Sequence, residues 1–273
     1  MSRSNGEVGW AVITGASSGL GAIFAEQLAR RGHSLVLAGR DELRLAAVRD
    51  RVRQLAPAVD VEVVAGDLGT RAGIDELVAH LGGRAVGVLV NNAGFGTYGP
   101  FAEADVAREH GIVGVNVDAL MGLTRAVLPG MLARGSGGVL NVASTIAFQP
   151  GPYQAVYGAS KAFVLSFSQA LWAETRGSGV TVTALCPGAT ETGFVDALGA
   201  DVSHTAIYRN LAAPEPVVAA GLRALDRGRA VVVTGARNKL MATAGRLSPG
   251  WVSALITKRM LRPAATPERV AAK

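Results

Sequence analysis

Val12-Ile13-Thr14-Gly15-Ala16-Ser17-Ser18-Gly19-Leu20-Gly21 reads as the end of a buried strand, a glycine turn and the first turn of a helix. The apolar run over residues 10–13 has the length of a strand, and Ile23, Phe24 and Leu28 then recur at helical spacing. Gly15 permits the tight turn, and Ser17 or Ser18 can cap the helix that follows. A strand, a glycine turn and a helix N-terminus together make a cradle of backbone N–H groups and helix dipole suited to a pyrophosphate. The spacing is GxxxGxG rather than the commoner GxGxxG. Its weight comes from its place in a first βα unit, because glycine loops alone are common.

Outward from that turn, strands and helices alternate along the whole chain. Strands are predicted near 10–14, 34–38, 60–66, 86–91, 137–143, 180–186 and 230–233, with helices between them. Leu45, Val48, Val52 and Leu55 make one apolar stripe, and Ile74, Leu77, Val78 and Leu81 another. Repeated βα units predict an α/β fold with a doubly wound, mostly parallel seven-stranded sheet and helices on both faces. The 273 residues fit one large domain, read as 1–235 with a mobile lid at about 190–212, followed by a C-terminal extension, 236–273. One cysteine, Cys186, excludes an intrachain disulfide framework, and a small buried residue at a strand end is its expected role. The polar start over residues 1–6 lacks the apolar core of a signal peptide, and no uninterrupted apolar run reaches about 18 residues. A cytoplasmic protein without a spanning helix is expected.

Tyr157-Gly158-Ala159-Ser160-Lys161 places a phenol and an ammonium four residues apart, with the Ser144 hydroxyl upstream. On a helix, residues i and i+4 share a face. A cation beside a phenol favours the phenolate and is expected to lower its pKa from about 10. Such a Tyr is a competent acid for a carbonyl oxygen or base for an alcohol. Read alone, YxxxK is a short and common pattern. The cofactor turn upstream gives it meaning.

In order, the chain carries Thr14-Gly15-x-x-x-Gly19-x-Gly21, Asp67 after the third strand, Asn91-Asn92-Ala93-Gly94, Asn116, Ser144, Tyr157-x-x-x-Lys161, and Pro187-Gly188 with Thr192. On these residues it resembles the classical short-chain dehydrogenases/reductases, from about residue 10 to residue 233. The resemblance implies a Rossmann-type fold and hydride transfer between a nicotinamide and a carbonyl carbon. It implies Tyr157 as acid/base, Lys161 on the nicotinamide ribose, Ser144 on the substrate oxygen, and Asn116 holding a proton-relay water. For the cofactor it implies the cradle Gly15, Ser17, Ser18, Gly19, Leu20 and Gly21. It further implies Asp67 on the adenine amine beside Leu68, Asn92, Ala93 and Gly94 along the ribose, and Pro187, Gly188, Thr190 and Thr192 at the nicotinamide and pyrophosphate. Blander roles stay open: strand-end capping for Ser144, bonding to its own backbone for Asn116, and helix capping for Asp67, with Thr70 also available.

Dehydrogenases that prefer NAD bind the ribose 2′-hydroxyl with an acid at the end of the second strand. Here that position is Gly39, and Arg40 follows it, suited to a 2′-phosphate. Asp41 is better placed to cap the next helix. NADP(H) is the expected cofactor, and no metal is expected. Phe95, Tyr98, Ile146, Phe148, Tyr153 and Phe194 lie just beyond the motifs. No Arg or Lys follows Ser144 closely or begins the lid. An apolar or lipid-like ketone or secondary alcohol is therefore favoured over a small anion.

Two other classes compete. A catalytically silent NADP-binding regulator would have no need of Asn116, Ser144, Tyr157 and Lys161 together. A nucleic-acid binder would suit the net charge of +6, but the basic residues are not interleaved with aromatics and no recognition motif is present. Instead, Arg237, Lys239, Arg246, Lys258, Arg259 and Arg262 carry the excess, in a stretch over residues 230–267 without Asp or Glu. Trp251, Val252, Leu255, Ile256 and Met260 form a stripe there, with Ser248-Pro249 as a helix start. This cationic amphipathic helix is expected either to pack over the substrate cleft or a neighbouring subunit, or to touch an anionic membrane through residues 248–262. A homo-oligomer is expected too, because Phe163, Val164, Leu165, Phe167, Leu171 and Trp172 cannot share one helix face.

Overall fold

The computed structural model describes residues 9–205, 207–208 and 211–263. The polar start at 1–6, Arg209 of the expected lid and Pro267 of the extension lie outside the described residues. Seven strands, β1 (Trp10–Thr14), β2 (Leu35–Gly39), β3 (Val61–Ala65), β4 (Val86–Asn91), β5 (Gly137–Val142), β6 (Val180–Cys186) and β7 (Val231–Val233), each fall within a residue of the run read from sequence. They form one sheet in the order β3-β2-β1-β4-β5-β6-β7, parallel at every pairing. The winding reverses between β1 and β4. In such sheets the crevice for ligands opens at that point, beyond the carboxyl ends of the strands.

The sheet is covered on both faces because its strands carry apolar residues at both parities. Ala11, Ile13, Leu35 and Leu37 point to the layer formed by α1 (Gly19–Ala29), α2 (Glu42–Leu55) and α8 (Pro214–Asp226), where Phe24, Leu28, Leu45, Val48, Val52 and Leu222 are buried. Val12, Val36 and Ala38 point to the opposite layer, with Leu77 of α3 (Arg71–Leu81) and Leu123 and Met131 of α5 (Leu120–Arg134). The expected α2 stripe ends one residue early: Leu55, at the helix terminus, is exposed.

Local capping separates structural from functional helix ends. Asp41 accepts the Arg44 N–H at the start of α2, and Thr70 rather than Asp67 caps α3. Ser18 occupies the cap position of α1 with extended backbone, yet its side chain makes no capping hydrogen bond. The serine cap expected from sequence is therefore not formed. The first-turn N–H groups of α1 lack that side-chain acceptor, as a terminus that receives an anion requires.

Beyond β4, α4 (Val106–Val113) runs through a π-helical turn, Gly114–Ala119, into α5. By length and composition alone, Val106–Arg134 is long and apolar enough to cross a membrane. The absence of a long unbroken apolar run did not reveal it, because α4 and α5 continue as one helix. Ile112, Ala119, Leu123, Val127 and Met131 on it are buried, and all but Ile112 belong to the core layer under the sheet. A polar ladder fastens the neighbouring helices. Asn91 donates to Thr124 Oγ1 on α5 (3.0 Å) and to Asn141 Oδ1 on β5 (2.8 Å), and Asn141 donates to Ser168 Oγ on α6 (Ala155–Glu174) at 2.9 Å. Asn91 thus ties β4 to β5 and, through Asn141, to the helix that carries Tyr157.

Candidate active site

The first glycine turn leaves no room for side chains. Gly15 has φ 63°, and a Cβ on Gly21 would lie 2.1 Å from the Gly15 carbonyl oxygen and 2.8 Å from Asn92 Nδ2. Asn92 holds this turn from the next strand over. Its Nδ2 donates to the Thr14 and Gly15 carbonyl oxygens, while Thr14 Oγ1 accepts the N–H groups of Asn92 and Ala93. The start of the expected lid, which continues into α7 (Phe194–Ala197), closes against the same turn, with Thr192 Cβ 3.0 Å from where a Cβ of Gly19 would sit.

A cavity of about 970 Å³ runs from this turn along the strand ends. Gly15, Ser17, Ser18, Gly19, Leu20, Arg40, Asp67, Leu68, Asn92, Ala93 and Gly94 line its nucleotide end. Ser144, Tyr157, Lys161, Pro187, Gly188, Thr190 and Thr192 line the remainder. Of the catalytic and cofactor residues expected from the motifs, two do not line it. Gly21 acts from below through its closeness to Gly15. Asn116, 1% exposed, sits in the π-helical turn with its amide spent: Oδ1 accepts the Phe95 N–H, and Nδ2 donates to Phe95 O (3.1 Å) and Ser160 Oγ (2.9 Å). Asn116 thus bonds a neighbouring loop and α6, not its own backbone.

The cleft is narrow around the phenol. Tyr157 and Lys161, one turn apart on α6, are both buried. Lys161 Nζ donates to Val142 O at 2.9 Å and lies 5.8 Å from the Tyr157 ring centre. Ser144 accepts the Ile146 N–H, so its capping role is real, and its hydroxyl is near enough to the Tyr157 phenol to favour the phenolate. The lowered phenol pKa expected from the YxxxK spacing is overturned. Burial pushes Tyr157 well above its ordinary value, Tyr208 adds to the rise, and the Ser144 hydroxyl offsets it only in part. The same burial lowers Lys161 to about 8. Spacing had shown the cation but not the desolvation, and Lys161 is not among the groups that shift the phenol. Cys186 is fully buried, and burial raises its thiol to about 12, so it stays protonated.

At the nucleotide end, Arg40 is exposed and, among the described residues, makes no ion pair. The Asp41 carboxylate beside it is committed to Arg44, accepting its backbone N–H at 3.0 Å and pairing with its guanidinium at 3.1 Å. Arg44 also lines the cavity, one helical turn beyond Arg40, and the sequence reading missed it. The uncapped α1 terminus, the side-chain-free glycine turn and the unpaired Arg40 fit a phosphorylated dinucleotide.

The substrate end departs more from expectation. Phe95, Ile146 and Phe194 line the cavity, and Tyr98 and Tyr153 pack beside it. Phe148 does not. It turns into a core against α6 and lies under the Arg246 guanidinium of α9 (Ala236–Leu247) at 4.7 Å. The missed residues are Gln154, Ile207, Tyr208, Thr257, Met260 and Leu261, together with one cation, Arg237. Thr257 and Met260 belong to α10 (Gly250–Met260), and Leu261 follows it, so the C-terminal extension packs over the cleft. Its buried face is Ser253, Thr257 and Leu261, while Trp251, Leu255 and Ile256 of the expected stripe are exposed. Lys258, Arg259 and Arg262 are exposed as well, so cations and apolar side chains share the outward arc.

Known proteins share this architecture. A short-chain dehydrogenase from Sphingobium yanoikuyae in complex with NADPH is 34% identical, with TM-score 0.79 over 96% of this chain and 99% of that one. That overlap reaches into the C-terminal helices, beyond the motif resemblance. A bulky-bulky ketone specific alcohol dehydrogenase from Comamonas testosteroni is 30% identical, with TM-score 0.75 over 98% and 100% of the two chains. The very-long-chain 3-oxoacyl-CoA reductase of Anas platyrhynchos is 37% identical over 183 residues, 65% of this chain but 58% of that protein's length. The family pattern of short chain dehydrogenases matches residues 9–203, which takes in the glycine turn, Ser144, Tyr157 and Lys161. The chain therefore belongs to the short-chain dehydrogenase/reductase family, oxidoreductases acting on carbonyl and alcohol groups.

Proposed function

We propose that this protein is an NADPH-dependent reductase of apolar ketones, with residues 1–235 as the catalytic domain, about 190–212 as its lid and 236–273 as a basic C-terminal extension, from which Thr257, Met260 and Leu261 add a further wall. The observation that carries the reading is the Ser144–Tyr157–Lys161 cluster at the floor of a cavity whose other end offers an unpaired Arg40. When bound, NADPH supplies the hydride for the carbonyl carbon. Ser144 donates a hydrogen bond to the carbonyl oxygen and fixes it near the phenol. Tyr157 gives its proton to that oxygen as the C=O bond becomes an alcohol C–O–H. The raised phenol pKa keeps this proton in place at neutral pH, the state from which an acid must start. Lys161 holds the ribose hydroxyls, and Asn116 acts as a positioning residue that ties Phe95 to α6 through Ser160. NADPH oxidation with a panel of aromatic and aliphatic ketones tests the reading. No turnover of any ketone, with tight NADPH binding, would favour the silent regulator.

Arg40→Ala is expected to weaken NADPH but not NADH. A hydrogen bond to a charged group contributes roughly 1.5–3 kcal/mol, so about 10- to 100-fold in Kd. Equal losses for the two cofactors would show that Arg40 does not meet the 2′-phosphate.

The reading includes a homo-oligomer formed through α6. Phe163 and Phe167 stack at 5.6 Å, with Phe163, Phe101 and Val113 exposed around one apolar groove. Light scattering at micromolar concentration should give at least a dimer, and a monomer would refute this. It also includes peripheral contact with an anionic membrane through residues 248–262. Support comes from Trp251 (70% exposed), Leu255 (59%) and Ile256 (55%) interspersed with three cations. The full chain should co-sediment with vesicles containing phosphatidylserine at low salt, and absence of binding there disposes of the contact.

A further inference from the structure

The substrate end of the cavity is walled by a segment remote from the motifs. Leu261 is fully buried, and it packs in one apolar cluster with Tyr157, Ile146, Phe194, Ile207 and Tyr208. It is placed there by the geometry of the α10 terminus. Its N–H bonds the Thr257 carbonyl oxygen at 2.9 Å, which closes the last turn and directs the side chain inward with Thr257 and Met260. Two bonds to its far side hold it down. The Tyr98 hydroxyl donates to Leu261 O at 2.8 Å, and His204 Nε2 lies 3.2 Å from Arg262 O. Tyr98 is itself backed by Tyr153, whose ring centre lies 6.5 Å away. Among the described residues, Tyr153 is the one non-glycine with positive φ, at 65°. A bulky residue held in that region stores strain that the surrounding contacts must offset. These contacts join the loop after β4, the start of α6, the lid and the α10 terminus around one aliphatic side chain.

We propose that Leu261 is a specificity-determining residue, setting how large a group can flank the reacting carbonyl, and that the Tyr98 hydroxyl positions it. The proposal rests on the reductase reading for its substrate class. The lid is the other wall, and the Thr190–Ala212 bridge joins its two ends. The Leu261 wall is tied through two side-chain-to-carbonyl bonds, so a large flanking group displaces it at the cost of one or two hydrogen bonds. Such a wall discriminates by size rather than by charge, in keeping with its apolar surface.

The test uses the full chain, the variants Leu261→Ala and Tyr98→Phe, and two ketones, acetophenone and the bulkier benzophenone. Both turnover with NADPH and ketone binding by calorimetry are measured. One methylene in an apolar pocket changes discrimination by about 10-fold or more, so Leu261→Ala should shift the benzophenone-to-acetophenone ratio of kcat/KM, and of affinity, by at least that factor. Tyr98→Phe keeps the ring and loses only the hydroxyl, and should shift both ratios the same way by a smaller factor. NADPH affinity should be unchanged in both. Ratios unchanged in both variants, or equal losses for both ketones, overturn the proposal. A shifted binding ratio without turnover in any variant upholds it and overturns the reductase reading instead, so the two failures are distinct.

Discussion

Tyr157→Phe is expected to lower kcat by about 100- to 10,000-fold, the usual loss when a positioned acid is removed, with NADPH affinity nearly unchanged. The phenylalanine ring keeps the packing of Tyr157 against Phe194, whose ring centre lies 5.2 Å away, so the cleft should keep its shape. The Ser144 hydroxyl remains to orient the carbonyl but has no proton relay of its own. The structure gives this experiment a second readout. Because burial raises the phenol, wild-type reduction should show no loss from phenolate formation across neutral pH. Near-wild-type kcat in the variant, with a ketone that the wild type reduces well, would mean that the proton comes from another group.

Lys161→Ala should damage two steps at once. Removing a charge-assisted bond to the ribose is worth roughly 1.5–3 kcal/mol, hence about 10- to 100-fold weaker NADPH binding. Loss of kcat should accompany it. The pH dependence follows from the side chain's burial. With its pKa lowered to about 8, Lys161 is charged below that value and neutral above it. In the wild type, kcat/KM for NADPH should therefore fall as pH rises through about 8. The Lys161→Ala profile should lack this limb. A limb that persists in the variant assigns the titration to another group.

Much of the site was legible because its parts are local. The glycine turn, the YxxxK pair and Arg40 with its capping neighbour Asp41 each lie within about three helical turns of sequence. Backbone geometry alone then dictates which side chains share a face. The seven strands were legible for the same reason: a short apolar run between turn residues is read from adjacent positions. The stripe in α10 was misread by that very logic. Periodicity shows that a helix has two faces but not which face the fold covers, and Ser253, Thr257 and Leu261 proved to be the covered one.

By itself, then, the sequence determined the parallel doubly wound sheet, the family and the motif residues that gather at the strand ends. Only the tertiary structure decided what surrounds them. It turned Phe148 away from the cleft, joined Asn91 to Asn141 and Asn141 to Ser168, and brought Leu261 to Tyr98 across 163 residues of chain. It also reversed the expected direction of the Tyr157 shift. The physical reason is common to all four. Burial is set by contacts between segments distant in sequence, and desolvation acts on a phenol through every neighbour that excludes water, whereas spacing records only the neighbours along one helix.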